Sequence, residues 1–117
     1  MFDKIAQTVL LFDFYGQLLT PKQVEIMNMH YNDDLSLSEI SEHLSISRQG
    51  VHDSLKRAEH ALAEYEEKLG LVKIFIEQKE NLDKVFLMLD DILKNDKEVN
   101  VIKIKVEEVR DYITNML

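Results

Sequence analysis

Six polar or charged residues share one face of a predicted helix, where they could bind a nucleic acid. Apolar residues recur within the same segment at intervals typical of the buried side of an α-helix: Val51, Leu55, Ala58 and Leu62. The outward positions are then Arg48, Gln49, His52, Asp53, Lys56 and Arg57. Side chains of these types hydrogen-bond to base edges or contact phosphates when a helix lies in a groove.

A shorter helix is predicted just before this one, and together they form a helix-turn-helix unit. Ser36 starts the shorter helix, and Glu39, three residues later, completes a capping box. Ser45-Ile46 forms the turn, and Ser47 caps the second helix. Gly50 lies in the first turn of that helix, where it costs about 1 kcal/mol relative to alanine. Two interpretations of Gly50 remain open: close backbone approach to a phosphate or partner, and tight packing against another helix.

The four histidines do not have the spacing of a catalytic or metal site. They form no HExxH motif, and no two of them are three or four residues apart: His30, His43, His52 and His60. The three glycines are isolated, so a phosphate-binding loop is excluded. The chain has no cysteine, which excludes thiolate catalysis, disulfides and Cys-ligated zinc. We therefore expect a protein that is not an enzyme and holds no metal or cofactor.

The charge balance argues against strong duplex binding by this unit alone. The net charge is -8, and acidic residues outnumber basic ones in residues 21–70. Duplex-binding domains usually rely on a basic footprint for their sequence-independent affinity. A local phosphate contact by Lys56 and Arg57 remains open. Three glutamates later in the same helix are a predicted surface for a basic protein partner: Glu64, Glu66 and Glu67.

The N-terminal half of the chain is predicted to be entirely helical. A first helix is expected over residues 3–19. A second helix should start at Thr20-Pro21, closed into a capping box by Gln23, and run to about Tyr31 with Val24 and Met27 inward. The long helix that begins after Ser47 should end at Leu69, with Gly70 as its left-handed terminator. Residues 1–70 are therefore predicted to form a helix-turn-helix domain in an all-α fold.

Residues 71–117 are predicted to form a second domain, a helical hairpin broken at Asn95-Asp96-Lys97. Two apolar stripes with alternating steps of 3 and 4 indicate helix-on-helix packing. The first contains Leu71, Phe75, Gln78, Leu82, Val85, Leu89 and Ile92. The second contains Val99, Ile102, Val106, Val109, Ile113 and Met116. Residues 102–106 also alternate as a strand would, but helix is favoured because no second strand pattern exists to pair with it.

The hairpin has more apolar residues than one mutual seam needs. Those off the two stripes are Val72, Ile74, Ile76, Phe86, Leu87, Leu93, Val101 and Ile104. They could cover the helix-turn-helix bundle, because small domains need most of their apolar surface buried, or bind a second copy or another protein. We expect a homodimer. The first residues have no basic leader, and no apolar run approaches the roughly 20 residues that span a bilayer, so a cytoplasmic protein without membrane insertion is expected.

The helix-turn-helix segment resembles region 4 of bacterial sigma factors, their last DNA-reading domain. The points of similarity are Glu39-Ile40, Leu44, Ile46-Ser47-Arg48, Val51, Leu55, Arg57-Ala58 and Leu62. The resemblance implies that Arg48, Gln49, His52 and Asp53 occupy base-reading positions. It also implies that Lys56 and Arg57 approach phosphate.

Essentially the whole chain resembles the YlxM family of small bacterial proteins. The similarity is carried by FDFYGQLLTPKQ, residues 12–23, and YNDDLSLSEISEHLSISRQGVHDSLKRAE, residues 31–59. It implies a helix-turn-helix protein of the signal recognition particle pathway, because family members are encoded beside the GTPase Ffh or its receptor FtsY. Three hypotheses follow: an accessory protein that binds the particle's RNA or GTPases, a DNA-binding transcriptional regulator, and a dimeric interaction module.

Overall fold

The fold is all-α, as the sequence predicts. The computed structural model describes residues 3–116, and within that range it has six α-helices and no strand. The helices are α1 (Lys4–Tyr15), α2 (Pro21–Met27), α3 (Leu37–Leu44), α4 (Arg48–Leu69), α5 (Leu71–Asn95) and α6 (Val99–Met116). The chain divides into two compact units, one up to Val72 and one from Lys73 onward.

Helix α1 is shorter than the sequence predicts. Asp3 caps it by accepting a hydrogen bond from the Ala6 N–H at 2.7 Å, and the helix ends at Tyr15 rather than Leu19. A tight 3-10 turn follows over Gly16–Leu18, and the backbone is extended at Leu19. The break has a local cause, because the Thr20 hydroxyl caps the next helix and a cap residue cannot itself be helical.

Helix α2 also ends earlier than predicted. Its capping box between Thr20 and Gln23 is present, but regular α-helix stops at Met27 and a wider π-type turn covers Asn28–Asn32. Met27 is fully buried, whereas Val24 and Tyr31 are only partly buried. The wider turn still directs the Tyr31 hydroxyl to Glu59 on α4, at 3.1 Å.

The helix-turn-helix unit forms as the sequence predicts. Ser36 and Glu39 make both hydrogen bonds of the capping box at 3.1 Å, and the Ser47 hydroxyl accepts the Gly50 N–H at 3.0 Å. Ser45 ends α3 in the left-handed conformation, with φ of 55°. Helix α4 packs against α1, α2 and α3. It contributes the four predicted inward residues to the core, and all four are buried: Val51, Leu55, Ala58 and Leu62.

A polar cluster closes this unit where α4 ends and α5 begins. Gly70 has φ of 65° and terminates α4, as predicted. Tyr15, which is 1% exposed, donates its hydroxyl hydrogen to Glu66 at 2.5 Å and accepts the Leu71 N–H at 3.0 Å. Glu66 also accepts the Val72 N–H at 3.0 Å. Two side chains from α1 and α4 therefore satisfy the first N–H groups of α5, which a local cap residue would otherwise bind.

The second unit is the predicted hairpin, but its two helices pack through different residues. Val85, Ile92 and Val109 are buried, with Met88, Ile102, Tyr112 and Met116 packed against them. The Tyr112 hydroxyl donates to Asn81 at 3.0 Å. The Lys105 ammonium lies 3.0 and 2.9 Å from the two carboxylate oxygens of Asp96. The inward stripe of α6 therefore includes two amphipathic residues, Tyr112 and Lys105.

The predicted stripes are consequently wrong in part. Val85, Ile92, Ile102, Val109 and Met116 lie at the seam as expected. The eight other predicted members are instead exposed: Leu71, Phe75, Gln78, Leu82, Leu89, Val99, Val106 and Ile113. Of the apolar residues off the stripes, Val72 is buried, whereas Phe86, Leu87, Leu93 and Ile104 are exposed. Residues 102–106 are helical. Within the described residues, no helix has the length and apolar content needed to cross a bilayer.

Candidate nucleic-acid interface

The outward face of α4 contains the six residues that the sequence singles out. All six side chains are exposed: Arg48, Gln49, His52, Asp53, Lys56 and Arg57. Their orientation follows from the four buried residues of the same helix, since a helix that packs one side against a core must direct the other side outward. The cap at Ser47 fixes where this face begins.

A groove of about 440 Å³ separates the start of α3 from the start of α4. It is lined by Ser36, Leu37, Ser38, Arg48, Gln49 and His52. Arg48 donates from Nη1 to the Ser38 hydroxyl at 3.3 Å, which draws its guanidinium toward α3. No sequence pattern indicates Ser38, because no local spacing relates a residue of α3 to one ten positions later.

Some polar side chains on this face contact one another, and Asp53 is at the centre of these contacts. Gln49 donates from Nε2 to Asp53 Oδ1 at 2.9 Å, and His52 Nδ1 lies 3.6 Å from the same oxygen. Among the residues that the structure describes, Lys56 and Arg57 form no ion pair. These two cations can therefore contact phosphate without first breaking an internal bond.

The three glutamates that the sequence groups as a protein-binding surface do not share one environment. Glu64 and Glu67 are exposed, and Glu64 Oε1 lies 3.0 Å from His60 Nε2. Glu66 is partly buried and bound to Tyr15 and Val72. Only Glu64 and Glu67 are placed to present charge to a partner, and Glu66 belongs to the closing cluster of this unit.

Two tyrosines bound to glutamates have altered acidity. Burial, followed by the charge and the hydrogen bond of Glu59, raises the pKa of Tyr31 to about 12. Burial and the hydrogen bond to Glu66 raise the pKa of Tyr15. Both hydroxyls therefore stay protonated at neutral pH and act as hydrogen-bond donors to carboxylates. Within residues 3–116, no group of three or more His, Asp or Glu side chains is arranged to hold a metal ion.

Comparison with known proteins identifies a family match over most of the chain. The model of the family UPF0122, described as "Putative helix-turn-helix protein, YlxM / p13 like", matches residues 2–107. A UPF0122 protein of Acetivibrio thermocellus is 46% identical over 108 residues, which cover 92% of this chain and 86% of the relative. Relatives from Caldanaerobacter subterraneus and Oceanobacillus iheyensis are 58% identical over 85 residues and 50% identical over 91 residues. These alignments cover 73% and 78% of this chain, and 73% and 87% of the relatives.

Proposed function

Because the chain belongs to the UPF0122 family of YlxM- and p13-like helix-turn-helix proteins, we propose that it is an accessory protein of the signal recognition particle. It acts by binding the particle RNA or the GTPases Ffh and FtsY, and it works in the cytoplasm, where that pathway operates. The YlxM resemblance over residues 12–23 and 31–59 supports this choice of pathway. A DNA-binding transcriptional regulator is the alternative.

The proposal rests on the outward face of α4. Six exposed polar side chains on one rigid, capped helix are suited to recognition. Two of its cations, Lys56 and Arg57, have no internal ion pair among the described residues. The acidic surroundings favour an interaction with few phosphate contacts over one that depends on many.

A protein that only binds can still regulate a GTPase. It must bind one conformational or assembly state more tightly than the others, since equal affinity for all states shifts no equilibrium. Glu64 and Glu67 are suited to a basic surface on a protein partner, because complementary charges speed encounter and reject wrong partners. We therefore expect altered complex formation or GTP hydrolysis by Ffh and FtsY in the presence of this protein.

The test is a titration of the purified protein into Ffh, FtsY and particle RNA at two salt concentrations. GTP turnover and complex affinity should change, whereas the protein alone should hydrolyse nothing. The double variant Glu64→Lys/Glu67→Lys should reduce the effect. A matched control is Glu25→Lys/Glu42→Lys, which reverses two exposed charges on other helices. Unchanged turnover and affinity with the wild-type protein would favour the transcriptional alternative.

We also infer that the protein works as a homodimer through the hairpin. Several seam positions are followed, one residue later, by an exposed apolar residue. On α5 the seam residues Asn81, Val85, Met88 and Ile92 are followed by Leu82, Phe86, Leu89 and Leu93. On α6 the seam residues Lys105 and Tyr112 are followed by Val106 and Ile113. One residue corresponds to a rotation of about 100° around a helix. Because α5 and α6 run antiparallel, equal rotations bring both stripes to the same side of the hairpin. We call this side, with Val99, the apolar face.

The size and the charges of the apolar face fit a second copy of the chain. Phe86, Leu93 and Val99 are 67%, 83% and 77% exposed. Each partner of a standard stable interface buries about 800 Å², and a continuous face of exposed apolar side chains along both helices is suited to supply the apolar part of such an area. Asp83 and Asp90 border the α5 stripe, and Lys103 and Arg110 lie along the α6 stripe. Each pair is separated by two helical turns, so α5 of one copy can match α6 of the other.

A further inference from the structure

A second groove opens on the opposite side of α4 from the one beside α3. Its volume is about 480 Å³, and it lies between α2, the turn before α4, and α4 itself. Asp53 and Arg57 line it and also belong to the outward face of α4. The groove is therefore continuous with the candidate interface.

Cations line the groove from two different helices. Lys22 comes from α2 and Arg57 from α4, and both side chains are exposed. Neither forms an ion pair among the residues that the structure describes. The carboxylate of Asp53 is bound by Gln49 at 2.9 Å, so one of its oxygens already has a donor. An anionic group between Lys22 and Arg57 would meet two free charged donors, which form stronger hydrogen bonds than neutral ones.

The floor of the groove is apolar. Ile26 and Leu44 form part of it, and Ile46 remains 37% exposed there. A Cβ at Gly50 would lie 3.2 Å from the Ser47 hydroxyl, which caps α4, and 3.8 Å from Ile46, so a side chain there would crowd the cap and narrow the groove. Among the described residues, no atom of another helix lies within 4 Å of that Cβ position, which argues against tight helix packing as the reason for Gly50.

We propose that this groove holds one unpaired nucleotide of a bound RNA. Its phosphate lies between Lys22 and Arg57, and its sugar and one face of its base rest on the apolar floor beside Gly50. A fully paired duplex keeps its bases stacked inside the helix, so no base can contact the apolar floor. Loops and bulges can present an unstacked nucleotide to a pocket. The assignment rests on the proposed function, since it names the part of the RNA that the α4 face would recognise.

Two labelled RNA probes test the proposal by fluorescence anisotropy: the signal recognition particle RNA, which contains loops, and a fully paired RNA duplex of similar length. Lys22→Ala should weaken binding of the looped RNA by about tenfold, as expected for loss of one charged hydrogen bond. It should change duplex binding much less. Gly50→Met should weaken binding of the looped RNA to a similar extent, because the methionine side chain would fill the groove. Lys68→Ala is the matched control, because Lys68 is an exposed lysine of α4 that does not line the groove.

Methyl NMR of the wild-type protein provides a measurement independent of variant folding. Addition of the looped RNA should shift the methyl signals of Leu44 and Ile46 and leave that of Ile102, in the hairpin core, unchanged. If the wild type binds the RNA but Lys22→Ala behaves like Lys68→Ala, or these methyl signals do not move, the groove proposal is overturned while the proposed function stands. Equal losses for looped and paired RNA would also overturn it. No RNA binding by the wild type would overturn the groove proposal and remove RNA from the proposed function.

Discussion

Tyr15 and Glu66 are 51 positions apart in the chain, yet their side chains meet at 2.5 Å. The pair joins the end of α1 to the last turns of α4. It also binds the first backbone N–H groups of α5, through Leu71 to the tyrosine oxygen and through Val72 to the carboxylate. Helix α5 therefore begins on a cap built from two distant residues. The pair couples the fold of the helix-turn-helix unit to the start of the next helix.

Removal of the Tyr15 hydroxyl should destabilise the N-terminal unit. Tyr15→Phe leaves the Leu71 N–H without its acceptor and Glu66 without one of its donors in a part-buried cluster, a change that costs about 1–3 kcal/mol of unfolding free energy. Urea denaturation followed by circular dichroism measures this loss. Tyr65→Phe is the control, because its hydroxyl bonds to the Leu18 carbonyl at an exposed site at 3.2 Å. Equal stability of the two variants would contradict the role of the cluster.

Stability should decrease in alkaline solution. The pKa of Tyr31 is raised to about 12 and that of Tyr15 is also raised, both from 10.0. The unfolded chain then loses these protons more readily than the folded one, so their contribution is complete below pH 10 and is lost as pH rises toward about 12. Unfolding free energies measured between pH 8 and 12 should fall less steeply for Tyr15→Phe/Tyr31→Phe. The same slope in both proteins would refute the assignment.

Nucleic-acid binding should involve few phosphates. The logarithm of the affinity for a duplex falls with the logarithm of salt concentration by about 0.9 per phosphate neutralised, and only about two to four contacts are expected here. Lys56→Ala should lower the affinity for nucleic acids of all sequences about equally. Arg48→Ala or Gln49→Ala should instead change which sequences are bound more tightly. Binding that survives in an Arg48, Lys56 and Arg57 triple alanine variant would exclude the α4 face as the reader.

A polar residue in the apolar face should dissociate the dimer. Leu93→Glu places a charge where the proposed interface buries an 83% exposed leucine, so the mass measured by light scattering at micromolar concentration should halve. Leu87→Glu is the matched control, because Leu87 is 64% exposed and lies outside the apolar face. If the wild-type protein has a mass of only 13.7 kDa, the homodimer is ruled out.

Charge reversal tests how the two copies are arranged. Lys103→Glu/Arg110→Glu should weaken the dimer by placing like charges beside Asp83 and Asp90 of the other copy. The addition of Asp83→Lys/Asp90→Lys in the same chain should restore the dimer, because each proposed pair across the interface then has charges of opposite sign again. If the second change does not restore the dimer mass, the proposed pairing of α5 in one copy with α6 in the other is wrong.

The amino-acid sequence by itself determined the features that depend on residues a few positions apart. Both capping boxes, the Ser47 cap, the Gly70 terminator and the buried side of α4 form as predicted. These features are local, because a cap side chain reaches only the next turn, and an amphipathic helix fixes which side is buried whatever it packs against. The resemblance to the YlxM family also came from sequence, and the family match over residues 2–107 confirms it.

Only the tertiary structure decided which of several apolar stripes became the seam of the hairpin. Leu82 and Val106 fit a helical stripe as well as Met88 and Tyr112 do. The hairpin instead adopts the packing in which Tyr112 reaches Asn81 and Lys105 reaches Asp96. Likewise, nothing local distinguishes Glu66 from its neighbours or brings Lys22 near Arg57. Those pairings depend on how separate helices pack. A contact between residues far apart in the chain produces no repeating pattern of residue types in either helix, so the sequence of each segment does not reveal it.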